Sequence, residues 1–339
     1  MNINKSLRYF ASIVVASLLV SLLTACSTNP VSGKKDFSLI SEDQELAMGA
    51  QAHKSVLKQS KRLNNPRLQA YVNSIGQSLA RKSHRNNIPY KFTILEDPSV
   101  NAFALPGGYI YITTGLMAYL NSEGELAGVL GHEIGHVTAR HGVQQQSAGL
   151  ASAILLEILS KKAGASTTKS LGQLSTALIR GYGREHELQA DKLGAEYLAR
   201  VGYSPQNMLD VIGVLKAQEE FSKYQARREG RQPPSYHGVF STHPSNDQRL
   251  KSVVNAARNI RTAGTRSPNY NGYLRQINGL KYRIDKHRVG RITVGNVSPG
   301  LTYTQLARRS VVDAQRLRLL NGQFPNGEPI RGRLVKIIE

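Results

Sequence analysis

The stretch GHEIGHVTARH, Gly131 to His141, decides how the rest of this 339-residue chain is understood. On a helix, residues four apart lie on one face, so His132 and His136 can present ring nitrogens to a single metal ion. Glu133 lies one step around the helix, near enough to reach a water molecule at that ion without binding the ion. Apolar neighbours indicate a buried helix, and a buried histidine needs a hydrogen-bonding partner or a metal. The stretch therefore predicts a metal site.

A catalytic zinc ion usually takes three protein ligands and leaves a fourth position open. One known arrangement, HExxHxxGxxH, places a third histidine downstream on the same stretch. This chain lacks that arrangement, because Ala139 stands at the position of the glycine and Gly142 at that of the third histidine. His141 is five residues past His136, and we expect it to point elsewhere, as a surface residue at a helix end. The third ligand must then come from another helix.

The best candidate for that ligand lies in REHELQAD, residues 184–191. Glu187 and Asp191 are four apart and share a helix face. One of these carboxylates can bind the metal while the other accepts the Nδ1–H of a ligand histidine. Glu185 and His186 lie on other faces, although spacing alone leaves His186 open as a ligand.

Four blocks of the sequence, taken together, resemble peptidase family M48, a family of zinc metalloproteases. They are NAFALPGGYIYITTGL (101–116), GHEIGHVTARH (131–141), EHELQADKLG (185–194) and STHPSNDQRL (241–250). The resemblance covers roughly residues 36–260. It implies one Zn²⁺ per chain, Glu187 as the third zinc ligand and Asp191 as the residue that orients a ligand histidine. Glu185 and His186 then become surface residues.

The first block is similar to the active-site strand of the family. It supplies Asn101, Ala102, Phe103 and Ala104. An edge strand exposes N–H and C=O groups with which a substrate peptide can pair, and such pairing tolerates many sequences. The resemblance therefore implies a protease for unfolded proteins.

The last block resembles a loop near the zinc in periplasmic members of the family. Its His243 corresponds to a histidine that can approach the metal or the substrate oxyanion, and its Arg249 to an arginine that helps to hold the site. A ligating His243 would fill the open position and switch the enzyme off. In the implied mechanism, zinc polarises the scissile carbonyl. Glu133 then acts as general base and acid, and His243 or Arg249 are candidates to assist at the oxyanion.

The N-terminus predicts export. Lys5 and Arg8 precede the apolar run FASIVVASLLVSLLTA, residues 10–25, and Cys26 follows at once. This order is typical of a secretory signal, with a plain membrane anchor as the rival interpretation. The sequence LTAC, ending at Cys26, resembles the bacterial lipobox, which implies cleavage before Cys26 and lipidation of its thiol. Ser27 rather than Asp follows, which implies an outer-membrane lipoprotein that faces the periplasm.

The composition limits the possible partners. The formal net charge is +21 and the sequence pI is about 10.1, which favours polyanions such as lipopolysaccharide, anionic lipid, cell wall or nucleic acid. A lipid-tethered periplasmic protein does not normally meet nucleic acid, so no nucleic-acid partner is expected. An apolar content of 40% is not that of a disordered chain or a multi-span membrane protein.

The predicted fold class is α+β. It comprises a mainly helical, gluzincin-type zincin protease domain with a small β-sheet whose edge strand binds substrate, and a small C-terminal α/β module. The predicted divisions are a signal peptide (1–25), a tether (26–40), the protease domain (41–262), a linker (263–272) and the module (273–339). Helices are expected over 41–59, 66–82, from about 123 to 141, and over 183–201. Pro106-Gly107-Gly108 is expected to turn between two strands.

The C-terminal module resembles a LysM-type carbohydrate-binding module. Its usual Gly-Asp-Thr turn is replaced by Gly300, Leu301 and Thr302, which leaves glycan binding open. Two functions of different class follow from these observations. The first is a zinc endopeptidase that removes misfolded or unassembled envelope proteins. The second is a lipoprotein or chaperone that binds the envelope or peptidoglycan and has a closed or structural zinc site. Glu133 favours the first, because a structural site has no use for a base.

Overall fold

A computed structural model describes residues 26–28, 30–31, 33, 35–160, 183–232, 249, 253–254 and 266–339. The predicted signal peptide, the segment 161–179 and the loop that carries His243 lie outside these residues.

The described elements are numbered in chain order. The helices are α1 (Glu42–Gln59), α2 (Pro66–Ala80), α3 (Thr114–Tyr119), α4 (Glu123–Thr138), α5 (His141–Ser160), α6 (Arg184–Arg200), α7 (Gln206–Arg228), α8 (Tyr270–Ile277), α9 (Tyr303–Ala307) and α10 (Ala314–Leu320). The strands are β1 (Cys26–Thr28), β2 (Lys35–Phe37), β3 (Lys91–Leu95), β4 (Ala102–Leu105), β5 (Tyr109–Thr113), β6 (Lys281–Arg283), β7 (Val289–Asn296) and β8 (Leu334–Ile338). This mixture of helices with small sheets confirms the predicted α+β class.

A three-stranded sheet in the order β3–β5–β4 lies beside the helices. β3 is parallel to β5, and β4 is antiparallel to it, with Ala102 opposite Ile112 and Leu105 opposite Tyr109. The two antiparallel strands are joined at Pro106–Gly108, where Gly107 has a φ of 74° that suits a glycine. In the described part of the chain, β4 has a neighbouring strand on one side only, as predicted.

Helix α4 is the centre of the fold, and every residue of it is buried. Ser122 caps its N-terminus, because the Ser122 side chain accepts a hydrogen bond from the backbone N–H of Glu125. The Glu125 carboxylate reaches back to the N–H of Asn121 instead of that of Ser122. Helices α2, α6 and α7 and the small sheet pack around α4, so its polar side chains lie inside the fold.

The segment predicted as a tether is partly folded. β1 and β2 form a short antiparallel pair. Ser38 and Ile40 are buried, and the backbone N–H of Leu39 donates to the Ser147 hydroxyl at 3.2 Å. The last residues before α1 are therefore packed against the start of α5.

The C-terminal module is a three-stranded antiparallel sheet, β6–β7–β8, with α9 and α10 between β7 and β8. Its side chains belong to the same continuous hydrophobic core as α4. Helix α8 begins at Tyr270, inside the predicted linker, and Tyr273 donates a hydrogen bond to the backbone of Met117 at 2.7 Å. None of the helices in the described residues has the length and apolar character that crossing a membrane requires.

Candidate metal centre

Small residues bring the two helices of the site into contact. A Cβ added to Gly135 on α4 would lie 2.8 Å from the carbonyl oxygen of Ala190 on α6. One added to Gly194 on α6 would lie 2.9 Å from the backbone nitrogen of His132. Larger side chains would separate the helices, so this spacing of glycines allows residues on the facing sides of α4 and α6 to meet.

Three side chains from these helices point at one spot. The Nε2 atoms of His132 and His136 are 3.0 Å apart. The carboxylate of Glu187 lies 3.6 Å from Nε2 of His132 and 3.4 Å from Nε2 of His136. All three side chains are buried, and one ligand atom from each lies within 4.8 Å of the others.

This donor set fits a zinc ion. Two imidazole nitrogens and one carboxylate are a common protein ligand set for catalytic zinc. At the usual zinc–ligand distances of about 2.0–2.2 Å, tetrahedral donors lie roughly 3.3 Å apart, close to the separations found here. His132, His136 and Glu187 could therefore hold zinc, with a fourth position left over.

Asp191 lies behind the site. Its Oδ1 accepts from Nδ1 of His132 at 2.8 Å, and its two oxygens accept from the Arg249 guanidinium at 2.7 Å each. Burial raises the pKa of Asp191, but the Arg249 and His132 contacts more than offset it and hold that pKa below its ordinary value. Nη1 of Arg249 also lies 3.3 Å from Glu187. Arg249 therefore ties both carboxylates of α6 together, beside His132.

Glu133 is also buried, with 2% of its surface exposed. It follows His132 on α4, which places it beside the three candidate ligands and outside their set. Burial lowers the pKa of Arg249, but the hydrogen bonds and charge of Asp191 and the weaker charges of Glu187 and Glu133 more than offset it. A carboxylate in this position can accept a proton from a water molecule at the metal.

The prediction that His141 is a surface residue pointing elsewhere is wrong. His141 is fully buried, and its Nδ1 lies 2.9 Å from Nδ1 of His136. Its Nε2 lies 2.9 Å from the side-chain oxygen of Gln189. Burial is the main cause that lowers the pKa of His141, to about 3, so its ring is neutral.

Helical spacing could not have found this contact, because α4 does not continue to His141. It ends at Thr138, and Arg140 has a φ of 58° that turns the chain before α5 starts. His186, expected at the surface, is half-buried and stacks on the His141 ring with 4.2 Å between centroids. Glu185 is exposed, as expected.

The edge strand lies next to the site. A cleft is lined by Ala104 and Leu105 of β4 and by His136 and Arg140. Phe103 stacks on Tyr111 of β5, at 4.7 Å between centroids. Asn101 precedes the strand, and its backbone oxygen accepts from the N–H of Thr113 at 3.0 Å. The predicted substrate segment therefore runs alongside His136.

The sequence profile of Peptidase family M48 matches residues 66–257 of this chain. The beta-barrel assembly-enhancing protease of Escherichia coli (strain K12) is 31% identical over 264 residues, which are 74% of this chain and 51% of that protein. Its counterpart from Yersinia pestis is 30% identical over 300 residues, 85% of this chain and 59% of the relative. The mitochondrial metalloendopeptidase OMA1 of Arabidopsis thaliana is 30% identical over 218 residues, 63% and 42% of the two chains. The chain spans about half the length of the curated relatives it matches.

Proposed function

Because this chain belongs to peptidase family M48, we propose that it is a zinc-dependent endopeptidase. His132, His136 and Glu187 are the zinc ligands, and Glu133 is the general base. The observation that carries this proposal is the convergence of the three ligands, with atoms 3.0–3.6 Å apart, beside a buried carboxylate that is not one of them.

Bound zinc would supply a Lewis acid that polarises the scissile carbonyl and acidifies a water molecule. Glu133 accepts the proton of the attacking water and returns it to the nitrogen of the leaving amine. Asp191 keeps the proton of His132 on Nδ1, so that Nε2 is free to bind the metal. Arg249 neutralises the buried charge of Asp191 and lies within 3.3 Å of Glu187, which limits the movement of that ligand.

The substrates that we propose are unfolded or misassembled proteins of the bacterial envelope. An extended peptide would pair with the free edge of β4, where backbone groups do the binding and sequence matters little. The relatives named as beta-barrel assembly-enhancing proteases support an envelope role. We further propose that Cys26 is lipidated, that the chain is held at the outer membrane facing the periplasm, and that its basic surface favours lipopolysaccharide or peptidoglycan.

The first test is cleavage of casein, an unfolded protein, by the chain purified in detergent and loaded with zinc. Glu133→Gln is the matched variant, after its zinc content has been shown to equal that of the wild type. We expect cleavage by the wild type and none by the variant. If both hold zinc and neither cleaves casein or an unfolded envelope protein, the alternative of an envelope-binding protein with a closed or structural site replaces this proposal.

A further inference from the structure

Each of the two histidines that converge on the metal centre has a partner at its other ring nitrogen. For His132 the partner is a carboxylate, with Oδ1 of Asp191 at 2.8 Å. For His136 the partner is a second imidazole, Nδ1 of His141, at 2.9 Å. The two ligands are therefore oriented by different chemistry, and only the first arrangement was foreseen from the sequence.

The direction of the hydrogen bond to His141 follows from proton counting. When Nε2 of His136 binds a metal, the single proton of its neutral ring must be on Nδ1. That N–H can only donate, so Nδ1 of His141 must accept and carries no proton. The remaining proton of His141 is then on Nε2, which donates to Oε1 of Gln189 at 2.9 Å. Both hydrogen bonds therefore donate in the same direction, from His136 to His141 and from His141 to Gln189.

The fold holds this chain of contacts on three sides. The turn before His141 is fixed by Arg140, whose guanidinium donates to Glu45 at 2.9 Å and to the backbone oxygen of Ile40 at 3.1 Å. His186 stacks on one face of the His141 ring. Gln189 and Glu187 belong to the same helix, so the position of the last acceptor is linked to that of the third ligand.

We propose that His141 is a positioning residue for the metal centre. It accepts the Nδ1–H of His136, fixes the tautomer and rotation of that ligand, and is itself held by Gln189. The proposal rests on the proposed function to the extent that His136 is a metal ligand. It does not depend on hydrolysis.

The test compares zinc affinity, from competition with a chromophoric chelator, and the visible spectrum of the cobalt-substituted protein. His141→Leu removes the acceptor, and we expect zinc to bind roughly 10–100-fold more weakly with a changed cobalt spectrum. His141→Asn places Oδ1 near the position of Nδ1, and it should recover most of the affinity and the wild-type spectrum. His287→Leu, an exposed histidine of the C-terminal module, is the matched control and should have neither effect.

A second pair of variants keeps the test valid if His141→Leu does not fold. Gln189→Leu leaves His141 in place but removes its acceptor, and we expect zinc binding to weaken roughly 3–10-fold. Gln146→Leu, at an exposed position of α5, is its control.

The proposal is overturned if folded His141→Leu, or Gln189→Leu, binds zinc as tightly as the wild type. It is also overturned if His141→Asn binds zinc no more tightly than His141→Leu. If the wild type fails to cleave casein but these affinities shift as expected, the proposed function fails and the positioning role stands.

Discussion

Two carboxylates four residues apart on α6 face different partners. Glu187 faces the Nε2 atoms of both histidines. Asp191 faces the opposite nitrogen of His132, and Arg249 occupies its remaining hydrogen-bonding positions. Because Arg249 balances the buried charge of Asp191, this carboxylate stays ionised and is not available as a ligand. The neighbours of each carboxylate, and not its residue type, distinguish the proposed ligand Glu187 from Asp191, which we propose orients His132.

Asp191→Asn should therefore weaken zinc binding without removing a ligand. An asparagine oxygen can still accept from His132, but the negative charge that makes this ligand more basic is lost, and Arg249 is left beside Glu187. We expect a loss of roughly 10–100-fold in zinc affinity, measured by chelator competition. Asp210→Asn, at a half-buried position of α7, is the control. Unchanged affinity in Asp191→Asn would contradict this role.

At the scale of elements, the backbone N–H and C=O groups of successive residues in β4 point alternately towards β5 and towards the free edge of the strand. The N–H of Thr113 donates to the carbonyl of Asn101, so this pair is hydrogen-bonded across the ladder. Pairs alternate in an antiparallel ladder, and the register puts Phe103 opposite Tyr111 and Ala104 opposite Ile110. Phe103 therefore bonds to β5, while the N–H and C=O of Ala104 point outward. Ala104 is half-buried and lines the cleft beside His136.

Ala104→Pro should impair catalysis while leaving the sheet intact. Proline removes one outward N–H that would pair with an extended substrate. The loss of one hydrogen bond predicts a decrease in kcat/KM of roughly 3–10-fold for casein. Ala104→Val keeps the N–H and is the control. Equal kcat/KM for the proline variant and wild type, at equal stability, would show that substrate does not pair here.

Glu123 joins several elements at the start of α4. Its carboxylate accepts hydrogen bonds from Tyr71 of α2, from Tyr203 and from Asn269, and pairs with Arg266. Burial raises the pKa of Glu123, but these donors more than offset it, so its pKa lies below the ordinary value of 4.5. A depressed carboxylate pKa stabilises the fold above the pKa of the unfolded chain, and that stability is lost as pH falls through the folded pKa.

Glu123→Gln should therefore destabilise the protein at neutral pH, by about 2 kcal/mol. The difference from wild type should shrink as pH falls below the ordinary value of 4.5. Thermal unfolding of both proteins between neutral and acidic pH measures this difference, with the exposed Glu185→Gln as control. A difference that stays constant with pH would show that the charge of Glu123 is not what stabilises the junction.

At the scale of the whole molecule, the C-terminal module is anchored by a buried lysine. Nζ of Lys336 donates to the carbonyl oxygens of Ala118 and Leu120, at 2.8 and 2.9 Å, where α3 ends. Burial lowers the pKa of Lys336 from its ordinary value, partly opposed by the charge of Glu125. The module thus supplies a hydrogen-bond donor for two backbone carbonyls at the end of α3, the helix that follows the small sheet and precedes α4 in the chain.

Lys336→Met keeps the length of the side chain but removes the ammonium group. Two buried backbone carbonyls then lose their hydrogen-bond donor, so we expect a loss of about 2–4 kcal/mol in the free energy of unfolding. Urea unfolding followed by circular dichroism measures it. Lys286→Met, at an exposed position of the module, should unfold like the wild type. An unchanged midpoint for Lys336→Met would mean that the module is not anchored through this residue.

The sequence alone determined the parts of this protein that depend on local spacing. Residues four apart on a helix share a face in any fold, so the pairs His132/His136 and Glu187/Asp191 could be recognised, and the resemblance to family M48 is confirmed. The hairpin at Gly107 and the helix start at Ser122 follow from local turn and capping chemistry. These features need no knowledge of distant contacts.

Only the tertiary structure decided the contacts that depend on the path of the chain after a helix or strand ends. His141 meets His136 because α4 stops at Thr138 and the backbone reverses at Arg140, held by contacts to Glu45, which is about a hundred residues away. The buried Lys336 likewise has its partners in a segment more than two hundred residues earlier. Periodicity describes neighbours on one helix, whereas these contacts depend on packing between elements that are far apart in sequence.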